Sequence, residues 1–123
     1  HHYPFRCAAY IGTHDNNTLL GWLWESSMEE REFALRYCGF QDTDWGRGGY
    51  HSRSCRSIIE TVWKSSSDTA IIPIQDMCGF GNDARMNLPG TEKDNWRFRV
   101  TKEILEQIDH EYFKHINALY GRK

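Results

Sequence analysis

Two short apolar runs, residues 7–11 (Cys-Ala-Ala-Tyr-Ile) and residues 70–74 (Ala-Ile-Ile-Pro-Ile), limit the fold of this chain more than any other feature. Neither alternates polar with apolar residues, so each reads as a strand buried on both faces, the type that occurs in parallel sheets. Pro73 donates nothing to a strand ladder, which ends the second strand near Ile74. Between the runs lie helical patterns. The first, from about Thr18 to Tyr37, sets Leu19, Leu20, Leu23, Phe33, Ala34 and Tyr37 against the charged residues Glu29 to Glu32. Residues 38–54 are rich in Gly and polar side chains and read as a loop, and Ile58, Ile59, Val62 and Trp63 mark a second helix. An irregular stretch over residues 75–96 carries Gly79, Gly81, Pro89 and Gly90, and segments of this kind are usually binding or active-site loops. A closing helix starts near Thr101, with Ile104, Leu105, Ile108, Tyr112, Ile116 and Leu119 on one face and Gly121 as its stop. The order is that of an α/β chain with a βαβα unit, whose strands must run parallel through a crossover. Two parallel strands do not make a sheet, so the unit is expected to belong to a larger α/β body or to pair with copies of itself.

Composition narrows the function classes. At 123 residues the chain fits one domain, and its 39% hydrophobic and 14% aromatic content sets it apart from disordered sequences. The formal net charge is −2 and the Lys and Arg residues form no basic block, so no nucleic-acid partner is expected. No apolar run approaches the roughly 20 residues of a membrane helix, and the first residues lack the apolar core of a signal peptide. We therefore expect no membrane association. Cys7, Cys38, Cys55 and Cys78 form no C-x-x-C pair and read as reduced, mostly buried thiols, although an even count leaves pairing open.

In α/β folds reactive groups gather where strands end at their carboxyl termini. Asp15 and Asp76 both follow a strand. Each also has an ordinary reading: Asp15, beside Asn16, Asn17 and Thr18, as a turn or helix-capping residue, and Asp76 as an acceptor for N–H groups of the glycine-rich turn after it. His14 and Asp15 are adjacent, and adjacent residues of extended chain point to opposite sides, which disfavours a hydrolytic triad built on the pair. His14, His51, His110 and His115 lack metal-ligand spacing, so no metal is expected, and His110 and His115 decorate the last helix. The segment Gly79-Phe-Gly-Asn-Asp83 matches a phosphate-binding loop too loosely to use, and Trp96 and Phe98 in Asn95-Trp-Arg-Phe-Arg99 read as packing residues.

Three segments in order, YIGTHDNNT (10–18), IIPIQDMCGFGNDARMNLPGT (71–91) and NWRFR (95–99), together with residues 30–39, resemble the C-terminal portion of the 4-α-glucanotransferases, also called amylomaltases or disproportionating enzymes. The resemblance implies that residues 1–123 are the C-terminal part of a (β/α)8 TIM barrel, from strand seven to the final helix and incomplete as given, since a whole barrel takes roughly 250 residues. It implies a parent enzyme that moves α-1,4-glucan segments between maltooligosaccharides by a retaining double displacement, needs no cofactor, and resides in the cytoplasm. Asp15 matches a carboxylate that binds sugar hydroxyls and stabilises the oxocarbenium-like transition state, and His14 matches its sugar-contacting neighbour. Asn87 is a further sugar contact, whereas Asp76 and Arg85 are left as a turn acceptor and a loop-holding salt bridge. The family's nucleophilic Asp and acid/base Glu belong to earlier strands, and nothing here matches them, so this chain alone is expected to be inactive. Asn17, where an acidic residue is common, reads as a surface variation. The remainder of the barrel, or self-association through exposed strand edges, would complete the sheet. The alternative reading is a non-catalytic α-glucan-binding or structural module.

Overall fold

A computed structural model describes residues 2–122, in the order β1 (Ala8–Tyr10), α1 (Leu19–Glu25), α2 (Met28–Tyr37), α3 (Arg53–Trp63), β2 (Thr69–Ile71), α4 (Ile74–Met77), a 3₁₀ turn (Asn82–Ala84), α5 (Lys102–Gln107) and α6 (His110–Leu119). The two strands are hydrogen-bonded neighbours and run parallel, with Ala8 opposite Thr69, Ala9 opposite Ala70 and Tyr10 opposite Ile71. The parallel pairing inferred from the apolar runs is therefore present.

Both strands are shorter than their apolar runs. Pro73, lacking an N–H, is the N-cap of α4, and Ile74 is its first helical residue, so β2 stops at Ile71 rather than near Ile74. Nor are the strands buried on both faces. Ala9 is 4% exposed, but Tyr10 and Ile71 stand 52% and 53% exposed, because no second layer among the described residues encloses that side of the ladder.

The expected first helix is two. Ser26 and Ser27 both adopt extended backbone, and Ser27 opens α2 through a capping box: its hydroxyl accepts from the Glu30 N–H, and the Glu30 carboxylate accepts from the Ser27 N–H. Arg31 then donates to the Leu23 and Ser26 carbonyls at the end of α1 and lies over the Trp45 ring at 3.9 Å. The break rotates α2, so that Leu35 is buried while Phe33 and Tyr37 face outward. The closing helix is likewise divided. Ile108 is extended, and the Asp109 carboxylate caps α6 by accepting from the Tyr112 N–H at 3.1 Å, with Arg56 2.9 Å from its other oxygen. Ile108 and Ile116 point inward, but Leu105 and Leu119 are exposed. The stop at Gly121 is as expected: with φ of +69°, it allows the Arg122 N–H to reach the Asn117 carbonyl and its own N–H the Ala118 carbonyl.

The core lies where α1, α3 and α6 meet, with Leu19, Leu20, Cys55, Ile59 and Ile116 at its centre and Ile11 and Ile72, just past the strand ends, packed against it. Burying an aliphatic side chain of this kind stabilises the fold by roughly 1.5–3 kcal/mol. A second cluster, Leu23, Leu35 and Phe40, anchors α2. The four cysteines are unpaired, Cys55 and Cys78 buried and Cys7 and Cys38 half-buried.

Candidate active site

Both strands deliver their carboxyl ends to one cleft of about 230 Å³, lined among others by Gly12, His14, Asp76, Arg85, Met86 and Trp96. After β1 the chain turns tightly. The Asn16 side chain accepts from the Thr13 N–H at 2.7 Å while the Asn16 N–H donates to the Thr13 carbonyl at 3.1 Å, and Thr18 then caps α1. His14 and Asp15 sit at the tip of this turn.

Because that segment is a turn and not extended chain, the two side chains do not diverge. His14 Nε2 lies 3.4 Å from Asp15 Oδ1, which corrects the expectation that neighbours in sequence point apart. The Asp15 side chain is 51% exposed; it does not itself line the cleft but stands beside His14 and Arg85, which do. It is not enclosed by packed side chains. Oδ1 accepts from Asn87 Nδ2 at 2.6 Å, and Oδ2 has no hydrogen-bond partner among the described residues.

Asn87 comes from the segment after β2, and its position is fixed from several sides. Its backbone N–H donates to the His14 carbonyl at 3.1 Å. Arg85 donates from Nη2 to the Asp15 carbonyl at 2.8 Å and from Nε to the Asn87 carbonyl at 2.9 Å. Arg85 therefore holds the loops together, but through two backbone carbonyls and not through the expected salt bridge. A guanidinium suits this task, since its donors diverge at fixed angles. Thus the structure brings together all three residues singled out from the sequence, His14, Asp15 and Asn87, with Arg85 as the clasp.

Asp76 is 3% exposed, and it serves the turn that follows only through its backbone carbonyl, which accepts from the Gly79 N–H at 3.1 Å, not through its carboxylate. Its Oδ1 accepts from the Leu19 N–H at 2.7 Å, the first residue of α1, so it tethers the loop after β2 to the helix that follows the His14–Asp15 turn. Burial pushes its carboxyl up to about 6, and the Leu19 N–H offsets this only in part. Asn17 also does more than vary a surface: Nδ2 donates to Asn82 Oδ1 at 2.7 Å, and Oδ1 accepts from the Thr18 N–H at 2.7 Å. This bond across the two loops requires the close packing of Gly21, where a Cβ would lie 2.2 Å from Asn82 Oδ1. The Gly79–Asp83 segment is built for packing as well. Gly79 has φ of +65° and accepts from the Gly49 N–H at 2.9 Å, and a Cβ there would lie 2.2 Å from the Gly49 carbonyl oxygen.

The residue that sequence reasoning misplaced is Trp96. Read as packing, it is 52% exposed and lines the cleft, its ring centroid 5.0 Å from that of His14. The alternation of aromatic and basic residues in 95–99 was the only signal, and it describes a strand, whereas the segment is irregular. Phe98 does pack, edge-on to Phe80 at 6.1 Å. His110 and His115 are exposed on α6, and the described residues contain no group of three or more His, Cys, Asp or Glu able to hold a metal ion.

A family model described as 4-alpha-glucanotransferase matches residues 1–105. The chain belongs to the 4-alpha-glucanotransferase family. Curated relatives include the chloroplastic/amyloplastic 4-alpha-glucanotransferase of Arabidopsis thaliana, 34% identical over 99% of this chain and 20% of that protein. The 4-alpha-glucanotransferase of Synechocystis is 37% identical over 93% of this chain and 21% of its own length. The fold is similar to that of the amylomaltase from Streptococcus agalactiae in complex with acarbose, with a TM-score of 0.84 at 29% identity over 98% of this chain and 23% of that one. The chain thus spans about a fifth of the length of the relatives it matches.

Proposed function

We propose that the protein carrying this chain is a 4-α-glucanotransferase that transfers α-1,4-glucan segments between maltooligosaccharides, and that residues 1–123 are the last two strand-and-helix units of its (β/α)8 barrel. β1 and β2 are then strands seven and eight, and α5 and α6 together occupy the place of the final helix. Family membership supports the activity, and the acarbose carried by the similar amylomaltase supports an α-glucan as the ligand.

One observation carries the residue assignment: at the carboxyl end of the parallel strands Asp15 presents a free carboxylate oxygen, while its other oxygen is held by Asn87 and lies beside His14. A carboxylate fixed in this way accepts sugar hydroxyls through charge-assisted hydrogen bonds. As the glucose ring flattens toward an oxocarbenium ion, those bonds shorten and the negative charge opposes the developing positive one, so the stabilisation falls mainly on the transition state. His14 and the Asn87 amide supply donors to the same sugar. The nucleophilic and acid/base carboxylates come from other strands of the barrel, and a glucan hydroxyl replaces water as the acceptor. The cytoplasm, where free maltooligosaccharides are handled, is the proposed location.

Incubating the full-length protein with maltotriose tests the activity. Both glucose and oligosaccharides longer than maltotriose are expected. Glucose and maltose alone would mark a hydrolase, and no reaction would remove the proposal.

A further inference from the structure

Trp96 has a half-exposed indole, yet it is held in place from three directions. Its φ is +60°, a left-handed conformation that glycine takes freely and a bulky side chain does not, and Asp94 two residues earlier has φ of +61°. The Trp96 N–H donates to the Met86 carbonyl at 2.6 Å, which pins it to the segment carrying Arg85 and Asn87. Asn95 between them donates to the Thr91 carbonyl and hydroxyl and accepts from the Leu88 N–H at 2.9 Å, so the loop is cross-braced behind the ring. All of this ends in one contact outside the loop's own segment: the indole lies against the His14 imidazole, centroids 5.0 Å apart with the planes inclined by 37°.

Solvent exposure makes the packing reading insufficient, because an indole that leaves half its surface in water contributes little to a core. A left-handed Trp also gives up stability that a Gly in the same place would retain. What the arrangement gains is a fixed imidazole. His14 is exposed on a turn tip, and among the described residues no hydrogen bond apart from the approach to Asp15 Oδ1 orients its ring. Aromatic pairs in this range of separations contribute about 0.5–1.5 kcal/mol, enough to favour one rotamer by about twofold to tenfold.

We propose that Trp96 is a positioning residue for sugar transfer: its indole braces the His14 imidazole at the mouth of the cleft, so that the donor nitrogen meets the sugar bound at Asp15. This rests on the glucanotransferase reading, and the test separates the two. In the full-length protein, Trp96→Phe retains an aromatic face, whereas Trp96→Leu retains apolar bulk without one. Transfer from maltotriose is followed together with the NMR signal of the His14 ring proton, assigned through His14→Gln, in the unliganded protein.

Trp96→Leu is expected to lower kcat by roughly twofold to tenfold with a smaller change in KM, to move the His14 signal, and to leave the melting temperature close to that of the wild type. Trp96→Phe is expected to recover most of the turnover. Equal turnover in the Leu and Phe variants, or a His14 signal indifferent to both, would overturn the inference. A wild-type protein that transfers no glucan would instead overturn the functional reading, while the His14 signal would still report on the brace.

Discussion

Asp76 allows the link between the two site loops to be weighed by pH. Its carboxyl is pushed up to about 6 from an ordinary value near 3.8, chiefly by burial. Between those values the folded chain holds a proton that the unfolded chain has released, so stability from this group is complete below pH 3.8 and is lost as pH rises through about 6. A difference of this size amounts to about 3 kcal/mol. Asp76→Asn keeps an oxygen for the Leu19 N–H but cannot ionise. Urea unfolding of both forms between pH 3.5 and 8, followed by circular dichroism, isolates the Asp76 contribution, since every other titration cancels in the difference. The Asn variant is expected to gain on the wild type as pH rises, by about 3 kcal/mol in total across pH 4 to 7. Asp76→Leu, which leaves the Leu19 N–H without an acceptor, is expected to lose roughly 1–3 kcal/mol at low pH, where the wild-type group is neutral. Wild-type and Asn curves that stay parallel from pH 3.5 to 8 would refute both the burial of the charge and the tether built on it.

Two further substitutions probe the scaffold around the site. Ser27→Ala removes the capping box that separates α1 from α2 and should cost about 1 kcal/mol in urea unfolding, with Ser27→Thr close to wild type. Gly79→Ala must place a Cβ against the Gly49 carbonyl in a left-handed conformation, so a loss of more than about 2 kcal/mol is expected from the midpoint of thermal or urea unfolding.

The parallel pairing was legible because the 7–11 and 70–74 runs have no polar alternation and too much chain between them for a hairpin. The helix breaks were legible in principle and were passed over: Ser27-x-x-Glu30 is a capping box, and Asp109 can cap, but each lies inside an apolar pattern that continues across it. Hydrophobic periodicity responds to side-chain spacing and is blind to a cap that turns the backbone by competing for the first N–H groups. Asp15, His14 and Asn87 were found by resemblance, and their meeting could not be read from spacing, since Asn87 reaches Asp15 only through the parallel pairing of the strands. Asp76, Asn17 and Trp96 each act on a partner far away in sequence, Leu19 at the start of α1, Asn82 and His14 respectively, and such long-range contacts leave no local pattern in sequence.

The claim on which the functional account depends is that the Asp15 carboxylate stabilises the transition state of glucan transfer. Asp15→Asn in the full-length protein, assayed at saturating maltotriose with folding checked by circular dichroism, measures this most directly. Loss of the charge that strengthens the hydrogen bonds to the sugar and opposes the oxocarbenium ion predicts a fall in kcat of at least about a hundredfold, with KM changed much less. A folded Asp15→Asn protein whose kcat stays within a few-fold of the wild type would contradict the account.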